Sequence, residues 1–227
     1  MGKNRGYAII FRSIQEDPNI VKSIKRKLRL FQRRMLDTLV KYFFHPALEK
    51  RAEGIVKLFE KQIPEKNRIL DLGGGWGFYA EPMEKRGHQL VVLDVVKPGY
   101  QKAPVVLYEG EKIPFGNNSF DVTFLMTMLH HVPDPKTLLQ EVYRVTRDRV
   151  IVVEDLYHHG LGRFWTQCRD RILNFEYMDH PCQFKRREEW IELFQKQDFE
   201  YVEGKEFYTW LAGMRILNGI FIFKKKF

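Results

Sequence analysis

An apolar run that ends in an acidic residue and passes directly into glycines constrains this chain more than any other stretch. In Ile69-Leu-Asp-Leu-Gly-Gly-Gly-Trp-Gly-Phe-Tyr-Ala80 a strand closes on Asp71, and glycines stand at 73, 74, 75 and 77. A helix is expected over 78–86, stopped by Gly87. Glycine lets the backbone take positive φ and pass close to a ligand, and the helix start beyond it presents unpaired N–H groups. A dinucleotide fingerprint G-x-G-x-x-G requires glycine or alanine at position 78, which is Phe78. The spacing present is D-x-G-x-G-x-G, formed by Asp71, Gly73, Gly75 and Gly77.

The flanking pattern alternates strands with helices. Runs over 67–72, 89–96, 105–108, 120–126 and 150–154 are continuously apolar rather than alternating, which suits a parallel sheet covered on both faces. A helix over 135–145 starts after Asp134, and another spans 186–196. Such alternation means βαβ units in a doubly wound α/β fold. Runs over 200–208 and 218–224 have no helix between them, which implies an antiparallel last pair. Ahead of the glycines, apolar residues at Ile20, Ile24, Leu28, Phe31, Met35, Leu39 and Phe43 mark one face of a helix opened by Pro18. Pro46 is expected to interrupt it, with a second helix over 47–62. Residues 1–17 read as an arm. Residues 1–62 are thus expected to form an N-terminal extension and 63–227 the main domain, with an aromatic cap at about 156–184.

Two further segments complete a signature. Asp94 closes Leu90-Val-Val-Leu-Asp-Val-Val96, and an acidic residue at the end of a second strand can accept both hydroxyls of a ribose. Glu109-Gly-Glu-Lys-Ile-Pro-Phe115 precedes Ser119-Phe-Asp-Val-Thr-Phe-Leu-Met-Thr-Met-Leu-His-His-Val-Pro-Asp134. In order and spacing these three segments resemble the class I S-adenosylmethionine-dependent methyltransferases, closely over residues 66–155 and in outline over 186–224. The leaning is toward small-molecule and quinone-type C- or O-methyltransferases. Glu109 stands where the family has aspartate, and Thr146-Arg-Asp-Arg149 replaces its Lys-Pro-Gly-Gly turn, which predicts a shortened surface loop.

The resemblance implies a Rossmann-like, mostly parallel seven-stranded sheet with an antiparallel last strand. It implies S-adenosylmethionine as cofactor, leaving as S-adenosylhomocysteine. The binding residues are then Asp71, Gly73, Gly74, Gly75 and Gly77 at the glycine turn, and Asp94 with Val95 at the ribose. Glu109 and Gly110 would read the adenine, and Leu125 and Met126 would line the methionine end. In-line methyl transfer needs alignment and exclusion of water. Where an O–H or C–H nucleophile also needs a base, His131, or its neighbour His130, is the candidate. The implied reaction methylates a small or lipophilic acceptor at O, C or N. The alternatives are a methyltransferase acting on RNA or protein, and a cofactor-binding protein without turnover. No metal is expected: Glu154, Asp155, His158 and His159 match no compact ligand spacing. Cys182, after Pro181, is not placed as a nucleophile, because it follows neither the fourth nor the fifth strand directly. Aromatic residues of the cap, Tyr157, Phe164, Trp165, Phe175 and Tyr177, predict an apolar acceptor pocket.

Charge narrows the partners. The net +9 lies wholly in residues 1–51, and the other 176 residues balance. The body therefore has no overall attraction for nucleic acid. The basic amphipathic segment at 18–44 is either a lid over the cofactor, an element on an anionic membrane surface, or a nucleic-acid contact. Two cysteines without a C-x-x-C and the lack of an 18-residue apolar run suit a reducing, cytoplasmic setting, peripheral to a membrane at most. The opening residues are too short in apolar content for a signal peptide.

Overall fold

The computed structural model describes residues 18–63, 66–174, 183–211 and 213–226. The expected arm at 1–17 and Phe175, Tyr177, Pro181 and Cys182 of the cap lie outside these. Seven strands form one sheet: β1 (Arg68–Leu72), β2 (Gln89–Asp94), β3 (Val105–Leu107), β4 (Phe120–Met126), β5 (Thr146–Asp155), β6 (Phe199–Leu211) and β7 (Met214–Lys225). Their order is β3-β2-β1-β4-β5-β7-β6. The first five pair in parallel, and β7 runs antiparallel to both β5 and β6. The doubly wound fold with a reversed last strand is as expected.

Period-two alternation sends each central strand's side chains into two separate cores. On one face Leu70, Leu72, Leu125, Val150, Val152, Phe221 and Phe223 pack with α4 (Pro135–Val145) and α6 (Arg187–Gln195) through Leu139, Val142, Trp190 and Phe194. On the other, Ile69, Val122, Phe124, Ile151, Val153, Ile220 and Ile222 pack against Ala52, Ile55, Val56 and Phe59. Ala52, Ile55 and Val56 belong to α2 (His45–Val56), so this core is continuous across residue 62. Asp134 caps α4, its carboxylate accepting from the N–H groups of Lys136 and Thr137.

Three local features depart from the sequence reading. First, α1 (Pro18–Leu39) runs into α2 through a π-helical turn at Val40–Phe44. Pro46 does not interrupt. It sits in the first turn of α2, directly after the π turn, where its fixed φ suits a helix start. Second, the helix after the glycines is only Ala80–Glu84 (α3), because successive tight turns from Gly74 to Ala80 consume its first residues. Third, β5 begins directly at Thr146, with no surface loop. There the Thr123 and Thr146 hydroxyls, both buried, share a hydrogen bond of 2.6 Å.

The buried side of α1 is also not the predicted stripe. Leu36, Asp37 and Val40 face the body, whereas Phe31 and Phe43 are 65% and 71% exposed. The π turn rotates the side chains that follow it, and Asp37, not an apolar residue, anchors the helix.

Candidate active site

The parallel strands end along one edge, and the chain reverses its direction of winding between β1 and β4. Ligand crevices form at such a switch point. Asp71, the glycine turn, Asp94, Leu129–His131 and Glu154 all lie along this edge.

Gly73, Gly75 and Gly77 have φ of +68°, +53° and +75°, values that penalise any side chain. A Cβ at Gly74 would stand 2.4 Å from Asp71 Oδ2, so that position admits nothing larger. At Gly75 a Cβ would meet no protein atom within 4 Å. Its left-handed backbone therefore borders open space, as a turn folded around a ligand requires. Asp71 is fully buried, and neither carboxylate oxygen has a hydrogen-bond partner. Burial, and then the charge of Asp94, push its pKa up to about 7. An enclosed, unsatisfied carboxylate beside an open turn fits a cationic group such as the ammonium of an amino-acid moiety.

Asp94 ties the turn to β2. Its Oδ2 accepts from the N–H of Gly75 at 2.9 Å and its Oδ1 from Val96 at 3.0 Å. A carboxylate oxygen accepts more than one bond, so both can still take hydroxyls. Val95 is exposed, and its Cγ1 lies 3.3 Å from where a Cβ on Gly110, at φ +87°, would sit. Val95 and Gly110 thus stand together, with Glu109 exposed beside them. Leu125 and Met126 differ: their side chains are buried in the two opposite cores, so only their backbone reaches the edge.

Beyond β4 the chain turns at Thr127, a β-branched residue held at φ +53° while its N–H donates to Val153 O at 2.6 Å. The turn throws Met128 over Gly73, where a Cβ would meet Met128 Cε at 2.9 Å. His130 and His131 follow. His130 is 1% exposed, stacked on Phe184, with Nδ1 2.5 Å from Glu154 Oε2. Glu154, wholly buried, accepts the N–H of Leu129 at 2.7 Å through its other oxygen. Burial opposes a charge on His130, but Glu154 and Asp170 outweigh it and hold its pKa well above the usual histidine range. An imidazole that keeps its proton is not a base. His131 is only partly buried, and its Nε2 lies 3.8 Å from Asp170 Oδ1.

The set Glu154, Asp155, His158 and His159 does not converge. Asp155 is bound by Arg169 at 2.6 Å and by Asn218 at 2.5 Å, and His158 faces Glu206 at 3.4 Å. These last histidines line a cleft of about 360 Å³ with Tyr157, Arg186 and Arg187. The cleft is lined mostly by polar side chains. Of the expected aromatics, Tyr157 is buried, and Phe164 and Trp165 are exposed on α5 (Gly160–Asn174).

Two site residues escaped the sequence reading. Asp37 accepts from Trp76 Nε1 at 2.9 Å and from the Gly99 N–H at 2.8 Å, fastening α1 to the glycine turn. It is the lone acidic residue of the basic segment 18–44, a signal that was there to be read. Asp170 lies 40 residues beyond His130 with no motif around it, and only the fold brings the two together.

Residues 70–153 match a sequence family described as a methyltransferase domain. The demethylmenaquinone methyltransferase of Renibacterium salmoninarum is 33% identical over 107 residues, 44% of this chain and 45% of that protein. The chloroplastic 2-methyl-6-phytyl-1,4-hydroquinone methyltransferase 2 of Oryza sativa is 30% identical over 163 residues, 66% of this chain and 44% of the relative. Each match spans less than half of the relative's length. Among solved structures, a methyltransferase from Methanosarcina mazei covers 74% of the chain, and 97% of its own, at TM-score 0.60 and 17% identity. The 1,6-didemethyltoxoflavin-N1-methyltransferase of Burkholderia thailandensis, solved with its substrate and S-adenosylhomocysteine, aligns over 100% of the chain and 92% of its own at 0.59 and 17%.

Proposed function

We propose, from the premise that this chain is a class I S-adenosylmethionine-dependent methyltransferase, that it methylates a small lipophilic acceptor of the prenylated hydroquinone type. The observation that carries methyl transfer is the cradle at β1: a buried, unpaired Asp71 beside a glycine turn open at Gly75. Bound there, the cofactor supplies an electrophilic methyl group on a sulfonium. Asp71 then takes the ammonium group, Asp94 the ribose hydroxyls, and Val95, Glu109 and Gly110 the adenine. Gly73, Gly74 and Gly77 shape the turn, and Leu125 and Met126 close the methionine end through backbone alone. His131 meets the acceptor, and His130 holds it in place from the buried side.

Two surfaces favour a lipophilic acceptor. Leu161, Phe164 and Trp165 form an exposed apolar stripe on α5, the helix that also carries Asp170. On α1 and the turn after it, Leu28, Leu30, Phe31, Tyr42 and Phe43 are exposed among Lys27, Arg34 and Lys41. This segment suits contact with an anionic membrane surface, from which such an acceptor is drawn. The two named relatives act on quinone-class compounds, which agrees with this reading.

Labelled S-adenosylmethionine offered with a prenylated hydroquinone, a tail-less hydroquinone and RNA tests the assignment. Label should enter the prenylated acceptor fastest; label in RNA alone would overturn it. His131→Ala should lower the rate with cofactor affinity kept. Asp94→Ala should weaken cofactor binding by roughly 2–3 kcal/mol, the loss of charge-assisted bonds; calorimetry showing an unchanged Kd removes Asp94 from the site.

A further inference from the structure

His130, His131 and Asp170 converge on one small volume. Among the described residues they are the one group of three His, Cys, Asp or Glu side chains whose ligand atoms all lie within 4.8 Å of one another. Asp170 Oδ1 is 3.5 Å from His130 Nε2 and 3.8 Å from His131 Nε2. Ligand atoms bonded at about 2.1 Å to a tetrahedral zinc ion stand roughly 3.4 Å apart. Both separations to Asp170 are thus within a few tenths of an ångström of that value, and the two histidine ligand atoms lie within 4.8 Å of each other.

The surroundings are those of a ligand set. His130 directs Nε2 toward Asp170 because Nδ1 is held by Glu154, itself fixed by the Leu129 N–H. A carboxylate on the far nitrogen of a histidine fixes its tautomer and raises its basicity as a ligand. Glu154 and Asp170 bring two buried carboxylates to this volume, while the nearby Arg169 is bonded to Asp155. Partial exposure of His131 leaves a path in from solvent.

We propose that His130, His131 and Asp170 bind one divalent transition-metal ion of the zinc class, with Glu154 orienting His130 and a fourth position open on the His131 side. Two nitrogens and one carboxylate oxygen with an open position form the pattern of reactive rather than structural zinc. The site stands independently of the methyl-transfer reading. Where both hold, the open position takes an acceptor oxygen, and His131 acts as a metal ligand instead of a base. This departs from the sequence, where no spacing announces a metal.

Titration of the tag-free full-length chain with Co²⁺, followed by visible absorption and by Zn²⁺ competition, tests the site with neither cofactor nor acceptor present. Tetrahedral cobalt bands should saturate at one equivalent and disappear on adding Zn²⁺. His131→Ala and Asp170→Ala should each weaken binding by 100-fold or more, and Glu154→Gln by about 10- to 100-fold. The double variant His158→Ala/His159→Ala should bind like the parent. Absence of saturable binding in the parent overturns the proposal, as does binding that survives His131→Ala or that depends on His158 and His159. Should Asp170→Ala not fold, the partly exposed His131 position decides alone. Loss of methyl transfer with metal binding intact would count against the proposed acceptor and not against this site.

Discussion

Asp71 is kept where its charge is least comfortable. Its pKa of about 7 in the fold, against an ordinary 3.8, means that it holds a proton more tightly folded than unfolded. A group raised in this way contributes its stability below the unfolded value and loses it as pH rises through the folded one. Wild-type stability should therefore fall between about pH 4 and 7 from this group. Asp71→Asn removes that slope and should be more stable than the parent at pH 8, because the amide carries no charge to desolvate. The same variant should bind S-adenosylmethionine more weakly, since the ammonium loses its counter-charge. Urea unfolding at pH 5 and pH 8, with calorimetry on the same samples, checks both; a variant with the parent's pH profile contradicts the account.

The helix α1 acts through one side chain. Asp37 bonds Trp76 within the glycine turn and Gly99 beyond β2, and Lys102 adds bonds to Glu49 on α2 and Glu81 on α3. Helix, turn and sheet edge are thus coupled through polar contacts, while Val40 supplies the apolar seat. Asp37→Ala leaves the Trp76 and Gly99 donors without their acceptor. We expect faster hydrogen exchange over residues 30–40 and about tenfold weaker cofactor binding, equivalent to roughly 1.4 kcal/mol, with global stability changed far less. Exchange and Kd both equal to the parent's would show that α1 is no lid. The core contribution of α2, through Ala52, Ile55 and Val56, is separate and should survive this variant.

The whole molecule is electrically divided, with its entire net charge before residue 52 and a balanced body after it. Among the described residues no helix is long and apolar enough to cross a membrane. A basic helix that exposes Phe31 and Phe43 can instead lie on one. Full-length chain should co-sediment with anionic vesicles at low salt and not with neutral ones, at about 1 kcal/mol per basic residue near the surface, and high salt should release it. Phe31→Ser with Phe43→Ser should reduce binding without altering cofactor affinity, because both side chains are largely exposed. Equal binding to neutral vesicles, or none to anionic ones, would restrict α1 to its contact with the glycine turn.

The fold and the glycine turn were legible in the chain because each rests on short-range physics. Strand runs, the Asp134 cap and the D-x-G-x-G-x-G spacing depend on local backbone geometry, and β4 and α4 fall on their predicted bounds. Where prediction failed, a contact between distant residues decided. The buried stripe of α1 was misplaced because a π turn and an Asp37–Trp76 bond, 39 residues apart, outweighed the apolar period. His130 and His131 were visible as a pair, but their opposite states were not. One is sealed against Glu154, 24 residues on, and the other opens toward solvent. Asp170 carries no sequence signal at all. Its carboxylate joins the histidines only because α5 folds back over the edge of β4 and β5, and packing of that kind is a property of the tertiary structure, not of any local run.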